Sequence, residues 1–468
     1  EWVPQMGITW SLGVNALGLV MILLALGLVP LVLIAGWNEE EAGDRGAYPA
    51  LVLALQAFMV VIFAAYDLVV FYVAFEAMLV PLYLMIGRYG TGEETARHRA
   101  AMKFLLYSLA GGLVMLIGVV ALFFYGPHTP TNYLIDSLAG AMTAPPTVAR
   151  WIFVSFMVAF AIKAPLVPLH TWLPDTAEQA SPGTSVLLIG VLDKIGTYGM
   201  IALVLPLFPE AATWAAPTML VLAVIGIIYG GLAAIAQDNL YRLISYTSVS
   251  HFGFMVLGIF IGNQVAANGA MVYMVAHGLS IAGLYLVTGF MARRTGTVAI
   301  SELGGIARVM PLVAGTFLVS GLASIALPGL SGFVPEWMVL TGTFSRSVPL
   351  GIVAVAGVVI AAVYMLLPYQ RVFTGAPAPE RVGSADLDAR ERLVLVPVIA
   401  AMLALGLAPG VLTDALDGVA GQVAATMSAG AGRPDAAVEP AVGPAVGPAA
   451  PADRPASLAL SITEGISK

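Results

Sequence analysis

Four ionisable residues stand in stretches otherwise apolar enough to cross a membrane: Glu76 in FYVAFEAMLVPLY, Lys163 in FAIKAPLVPLHTWLPD, Lys194 at the end of LLIGVLDK, and Glu336 in LPGLSGFVPEWM. A charge at mid-bilayer costs roughly 2.5–3.5 kcal/mol on insertion scales. The four together would cost on the order of 10 kcal/mol, comparable with the whole stability of a domain. Exposure to lipid is therefore untenable, and pairing and hydration are required. Desolvation disfavours the charged form of either group, and a nearby opposite charge restores it. A Glu–Lys pair whose separation changes is thus a switchable proton holder.

Two histidines, His251 in SYTSVSHFGFM and His277 in VYMVAHGLSIAG, lie mid-span. A lone histidine in an apolar span is often only a packing group. Imidazole, however, titrates near neutrality and passes a proton through either nitrogen, which suits a relay between charged neighbours. Ser245, Tyr246, Thr247, Ser248 and Ser250 add hydroxyls that could hold a water chain, although Ser and Thr also serve to pack membrane helices. His170 falls at the mouth of a helix break and suits either a relay or a helix-end hydrogen bond. Asp193 precedes Lys194, and adjacent side chains point apart on a helix, so a local pair and a relay role for Lys194 both stay open. Asp67, Asp175 and Arg242 read as helix-end or loop-anchoring charges. For Glu76 the plainer reading is a structural ion pair. For Glu336 it is capping of a half-helix, whose N-terminus favours an anion.

The elements that carry these residues are unusual. Pro165, Pro168 and Pro174 interrupt the helix of Lys163, and Pro328, Gly329, Gly332 and Pro335 interrupt that of Glu336. A broken spanning helix survives only where protein or water satisfies the freed backbone groups. Apolar runs of about 20 residues predict about twelve spans: 12–35, 48–66, 67–87, 103–125, 151–174 (broken), 183–206, 215–236, 241–262, 267–292, 311–345 (broken), 349–370 and 393–413. The two broken helices are the fourth members of successive groups of five. Because five is odd, the second group enters from the opposite side, an inverted repeat whose matching breaks mark a transport site. The expected divisions are an N-terminal helix and loop (1–47), a first repeat (48–206), a second inverted repeat (207–370), a loop and final helix (371–415), and a disordered Ala/Pro/Gly-rich tail (416–468) with no periodic apolar face.

With 59% hydrophobic and 10% charged residues and a mean hydropathy of +0.93, the chain is an all-α polytopic membrane protein. The net charge of −7 comes without a basic patch, which excludes nucleic acid. There is no cysteine, hence no disulfide, thiolate metal site or Cys-ligated cluster, and the five scattered histidines do not suit a haem. Redox chemistry would lie on another polypeptide. Threading the spans puts Arg45, the Arg88–Lys103 loop, Arg242, Arg293, Arg294, Arg308, Arg371, Arg381, Arg390 and Arg392 on one side, leaving only Arg150 and Arg346 on the other. By the positive-inside rule the basic side is cytoplasmic and both termini face out. The chain opens at Glu1 on an apparent loop without a signal-type region, so further N-terminal helices are expected to precede it.

The motifs around Glu76, Lys163, Lys194, His251 and Glu336 resemble the antiporter-like membrane subunits of respiratory complex I, the proton-translocating NADH:quinone oxidoreductase, over about residues 10–415. Glu336, where sister subunits carry lysine, points to the M branch, the counterpart of mitochondrial subunit 4. The resemblance implies fourteen helices, two more than are visible here. It also implies a modulating pair Glu76/Lys163, a central relay Lys194, a terminal site Glu336, and His251 and His277 between them. His170, Asp175, Asp193, Tyr246 and Ser250 are possible accessories. No cofactor is expected in this chain; FMN, iron–sulfur clusters and quinone would sit in partner subunits. Expected partners are the other membrane subunits, especially two sister antiporter-like ones, and lipids, in a bacterial plasma membrane. Alternatives that share the fold are a multi-subunit Na⁺(K⁺)/H⁺ antiporter, a membrane-bound hydrogenase subunit, and a non-conducting scaffold.

Overall fold

The computed structural model describes residues 2–37 and 46–429. In order, the main helices are α1 (Ala16–Ala35), α2 (Ala47–Ala64), α3 (Leu68–Tyr89), α4 (Glu94–Tyr125), α5 (Pro146–Lys163), α6 (Trp172–Gln179), α7 (Pro182–Leu207) and α8 (Pro209–Ile235). They continue as α9 (Leu240–Phe260), α10 (Gln264–Thr295), α11 (Pro311–Ser324), α12 (Phe333–Arg346), α13 (Val348–Phe373), α14 (Ala389–Leu407) and α15 (Gly410–Ala429). Among the described residues, ten helices are long and apolar enough to cross a membrane, or eleven counting one bent pair. Helix is what an apolar chain must adopt in hydrocarbon, where the backbone has no other partner.

Local chemistry sets the helix ends. Prolines open α5, α7, α8, α11 and α13, where the missing N–H is one a helix does not use. Asp67 caps α3 by accepting from Val69 and Val70 N–H, and its other oxygen accepts from Thr9 N–H at 2.8 Å, an anchoring role. Asn239 and Asn263 cap α9 and α10 in the same way.

Both expected breaks are present, each in the fourth segment of a five-segment group: α2, α3, α4, α5/α6, α7, and then α8, α9, α10, α11/α12, α13. At the first, the Ile162 carbonyl accepts the Trp172 indole N–H at 3.0 Å, so protein satisfies a group freed by the interruption. At the second, Ala326 and Gly329 take φ of 60° and 90°. Gly332 lies so close to the end of α11 that a Cβ there would sit 2.1 Å from the Ala323 carbonyl oxygen.

Two segments differ from expectation. The 183–206 span is not a regular α-helix: π turns at Leu188–Leu192 and Met200–Val204 flank a short α segment, and Asp193 N–H bonds back to the Leu188 carbonyl at 2.9 Å. The 393–413 span is instead two helices, α14 and α15, bent by 68° around Pro409. Helix α15 carries on to Ala429, so the region expected as tail from 416 begins as helix. Leu412, Leu416, Ala420, Val423 and Met427 recur at helical spacing and are buried, an apolar face hidden among the alanines and glycines. The remainder of the expected tail, 430–468, lies outside the described residues.

The hydropathic windows of α7, α9 and α10 are 94%, 94% and 100% buried, whereas α4 and α13 turn Leu106, Ile117, Phe124, Ile352 and Val359 outward. The polar spans therefore sit inside a ring of greasy ones. On the basic side a cavity of about 750 Å³ collects Glu93, Glu178, Asn239, Tyr241, Arg293 and Thr297, so the loops grouped by the charge count meet at one end.

Candidate functional site

Helix α7 positions Lys194. One turn earlier Gly190 lies against Gly278 of α10, where a Cβ on Gly278 would stand 2.7 Å from the Gly190 carbonyl oxygen. That backbone approach lets Lys194 Nζ reach His277 Nδ1 at 2.7 Å, and the ammonium also donates to the Ile189 carbonyl of its own π turn. With Nδ1 accepting, His277 carries its ring proton on Nε2, which has no partner among the described residues.

From His277 the polar groups continue across the second half. The His251 ring stands 5.1 Å from that of His277, nearly perpendicular, and its Nε2 lies 3.0 Å from the Tyr364 hydroxyl. On its other side the Tyr273 ring is 5.6 Å away, and the Tyr273 hydroxyl donates to Glu336 Oε2 at 2.8 Å. Gly269, one turn before Tyr273, holds α10 against α12: a Cβ there would lie 2.8 Å from the Pro335 carbonyl oxygen. All six residues, Lys194, His277, His251, Tyr364, Tyr273 and Glu336, are at most 4% exposed. Four of them were legible in the sequence. Tyr273 and Tyr364 were not, although Tyr273 precedes His277 by one turn on the same helix face. For Tyr364 the only signal was a phenol within an apolar span.

In the first half, Lys163 is fully buried and its Nζ makes no hydrogen bond among the described residues. The rings of Phe75 and Phe104 flank it at 5.6 and 5.1 Å, cation–π contacts that partly replace a carboxylate. Glu76 is half-buried, and its Oε1 lies against Gly112 of α4 without a hydrogen-bond partner among the described residues. Among the described residues no hydrogen bond or ion pair joins Glu76 to Lys163, and the two rings line the ammonium instead. Asp193 is fully buried and neither carboxylate oxygen has a partner among the described residues.

The accessory candidates divide. Asp175 accepts from Lys103 at 2.6 Å and Arg242 at 2.7 Å, and Arg242 also reaches Glu178 at 2.8 Å, which ties α4, α6 and α9 together. Burial alone would raise the Asp175 acid range, but hydrogen bonds from Lys103 and Arg242 outweigh it and hold the carboxyl below its ordinary value. Ser250 donates to the Ile227 carbonyl of α8 at 2.9 Å, and Ser245, Thr247 and Ser248 bond to carbonyls of their own helix. Through these bonds the hydroxyls brace helices. His170 is buried with neither nitrogen partnered among the described residues, its ring 5.0 Å from Tyr229 and 6.2 Å from Tyr246.

Two five-segment groups with matching broken helices, enclosing a buried run of amine, imidazole, phenol and carboxylate, define a multi-pass membrane protein of the antiporter-like class. Residues 65–361 match the NADH:quinone oxidoreductase/Mrp antiporter transmembrane family, and the chain belongs to that family. It is 43% identical over 442 residues to NADH-quinone oxidoreductase subunit M of Mycobacterium tuberculosis, covering 87% of this chain and 79% of that one. It is 39% identical over 415 residues to NAD(P)H-quinone oxidoreductase chain 4 2 of Thermosynechococcus vestitus, covering 86% and 76%. Among solved structures it is similar to a chain of respiratory complex I from Thermus thermophilus, with a TM-score of 0.83 and 33% identity over 91% of this chain and 88% of that one.

Proposed function

We propose that this chain is a proton-translocating membrane-arm subunit of an NADH:quinone oxidoreductase, a non-redox part of the enzyme driven from a distance by chemistry in other subunits. The observation that carries the reading is the buried line Lys194, His277, His251, Tyr273, Glu336, in which neighbouring groups meet by hydrogen bond or ring contact. Such a line has little structural value, because apolar residues of equal volume would hold its four helices together at least as well. It suits a hopping charge. Lys194 takes the central station, the two histidines and Tyr273 pass the proton, and Glu336 is the terminal site. Glu76 and Lys163 set the field on Lys194 by changing their separation.

In this reading FMN, iron–sulfur clusters and quinone belong to partner subunits, since a chain without cysteine has no thiolate to offer a cluster. The partners are the other membrane-arm subunits, including sister antiporter-like chains on either side, together with lipids. The membrane is a bacterial plasma membrane, with the basic loops in the cytoplasm and the C-terminal segment on the outer side. Intact complex reconstituted with Lys163→Ala loses proton translocation through this subunit while assembly is kept. Full pumping stoichiometry in that variant refutes the proposal. The family also includes Mrp antiporter chains, and copurification decides between the two: flavin and iron–sulfur subunits select the oxidoreductase, and their absence selects a cation/proton antiporter.

A further inference from the structure

The line described above begins at Lys194, and nothing in it reaches Lys163. Between the two lysines sits Asp193, fully buried, with neither carboxylate oxygen hydrogen-bonded among the described residues. Its direction follows from its helix. Gly196, one turn on and on the same face, packs so tightly on the end of α5 that a Cβ would stand 2.6 Å from both Ala164 N and the Phe160 carbonyl oxygen. Gly199 continues that face, where a Cβ would lie 2.4 Å from the Phe160 ring. The Asp193 side of α7 therefore faces the segment that ends in Lys163, and Lys194, about 100° further round, faces α10 and His277. The π turn at Leu188–Leu192 ends at Asp193 and includes Ile189, the carbonyl partner of Lys194.

We infer that Asp193 is a proton-carrying station that joins the two halves of the chain, an inference resting on the translocation reading above. A proton leaves the Lys163 ammonium for the Asp193 carboxylate: an N–H bond breaks, an O–H bond forms, and the ion pair becomes a neutral amine and a carboxylic acid. The acid then protonates the Lys194 amine, the O–H bond breaks, and the carboxylate is regenerated beside a Lys194 ammonium that already contacts His277. The reverse sequence balances equally. A buried carboxylate without donors is costly unless compensated, and two lysines on different faces supply that compensation in turn.

The test uses the intact complex in inside-out vesicles, reading proton uptake by dye quenching per NADH oxidised. It compares the parent, Asp193→Asn, Asp193→Glu and Lys163→Ala, with membrane content of the assembled complex as the folding control. The expected result is that Asp193→Asn falls to the ratio of Lys163→Ala while Asp193→Glu keeps the parental ratio. A parental ratio in Asp193→Asn alongside a lowered one in Lys163→Ala overturns the role of Asp193 and leaves the function standing. A parental ratio in Lys163→Ala overturns the function and this inference with it. Infrared difference spectra of the assembled parent during turnover supply a second readout. A protonated-carboxyl band that Asp193→Asn removes and Asp193→Glu shifts supports the station, and an identical band in all three overturns it. Should Asp193→Asn fail to assemble, Asp193→Glu carries the spectroscopic arm: an unshifted band is then the overturning result.

Discussion

Replacing Gly112 by alanine tests whether the position of the Glu76 carboxylate matters. A Cβ at 112 would stand 1.5 Å from Glu76 Oε1, 2.5 Å from Cδ and 3.1 Å from Oε2, with no other heavy atom among its three nearest. Ordinary contact begins near 3.4 Å, so Oε1 must retreat by about 2 Å. The clash is with the free end of a flexible side chain, and the displacement costs about 0.5–1.5 kcal/mol of rotamer strain. The exchange of glycine for alanine within a helix returns about 1 kcal/mol. The fold should therefore hold within about 1 kcal/mol. The field on Lys163 should not hold: at an effective dielectric near 20, a shift of about 2 Å in one of two charges on the order of 6 Å apart alters their interaction by up to about 0.7 kcal/mol, roughly a threefold change in an equilibrium. The assay is proton uptake per NADH oxidised in vesicles, with thermal stability of the detergent-solubilised complex measured alongside. Gly315→Ala serves as the control, since a Cβ there meets nothing within 4 Å. The expected outcome is a lowered pumping ratio in Gly112→Ala at near-parental stability, with Gly315→Ala unchanged in pumping. Parental pumping at parental stability refutes the reasoning, and so does a melting loss of many degrees, which would mean that backbone and not carboxylate absorbs the clash.

Two further outcomes follow from the same contacts. Tyr273→Phe removes the hydroxyl that donates to Glu336 Oε2, and losing a hydrogen bond to a charged group in a buried site costs about 1.5–3 kcal/mol; the pumping ratio should fall while the assembled complex remains, and an unaltered ratio would exclude Tyr273 from the path. Asp175→Asn should flatten the acid limb of the stability profile. The native carboxyl is held below its ordinary range by Lys103 and Arg242, so its contribution is complete above the unfolded value near pH 4 and is lost as pH falls through the lower native value. Melting temperature against pH reads the effect, and parallel acid limbs for parent and variant would contradict it. Because the pair is part-exposed, screening reduces its size.

Much of this protein could be read from its residues alone. Membrane spans follow from composition, since 20 apolar residues have only helix open to them in hydrocarbon. The two breaks follow from proline, which cannot donate a backbone hydrogen bond wherever it stands. Glu76, Lys163, Lys194 and Glu336 drew attention because a charge in an apolar run is expensive in any arrangement. Tertiary structure decided what those charges touch. The Lys194–His277 contact depends on Gly190 meeting Gly278, and the Tyr273–Glu336 bond on Gly269 meeting α12. Close approaches of this kind join residues some 60 to 90 positions apart, and neither sequence neighbour announces the other.

The π turns of α7 leave no proline or charge signature, so the segments that Asp193 and Lys194 each face, and the Ile189 carbonyl that Lys194 meets, appeared only in three dimensions. The same holds for the phenylalanine rings around Lys163, since Phe75 and Phe104 look like any other core aromatic until the lysine lies between them. The buried face of α15 was present in the sequence at helical spacing but was masked by an Ala/Gly-rich composition; packing against the rest of the bundle revealed it. Sequence determined which groups had to be hidden from lipid, because that is a transfer free energy belonging to each residue. Structure determined their partners, because hydrogen bonds and ring contacts depend on distances of a few ångströms between segments that only the packed helices set.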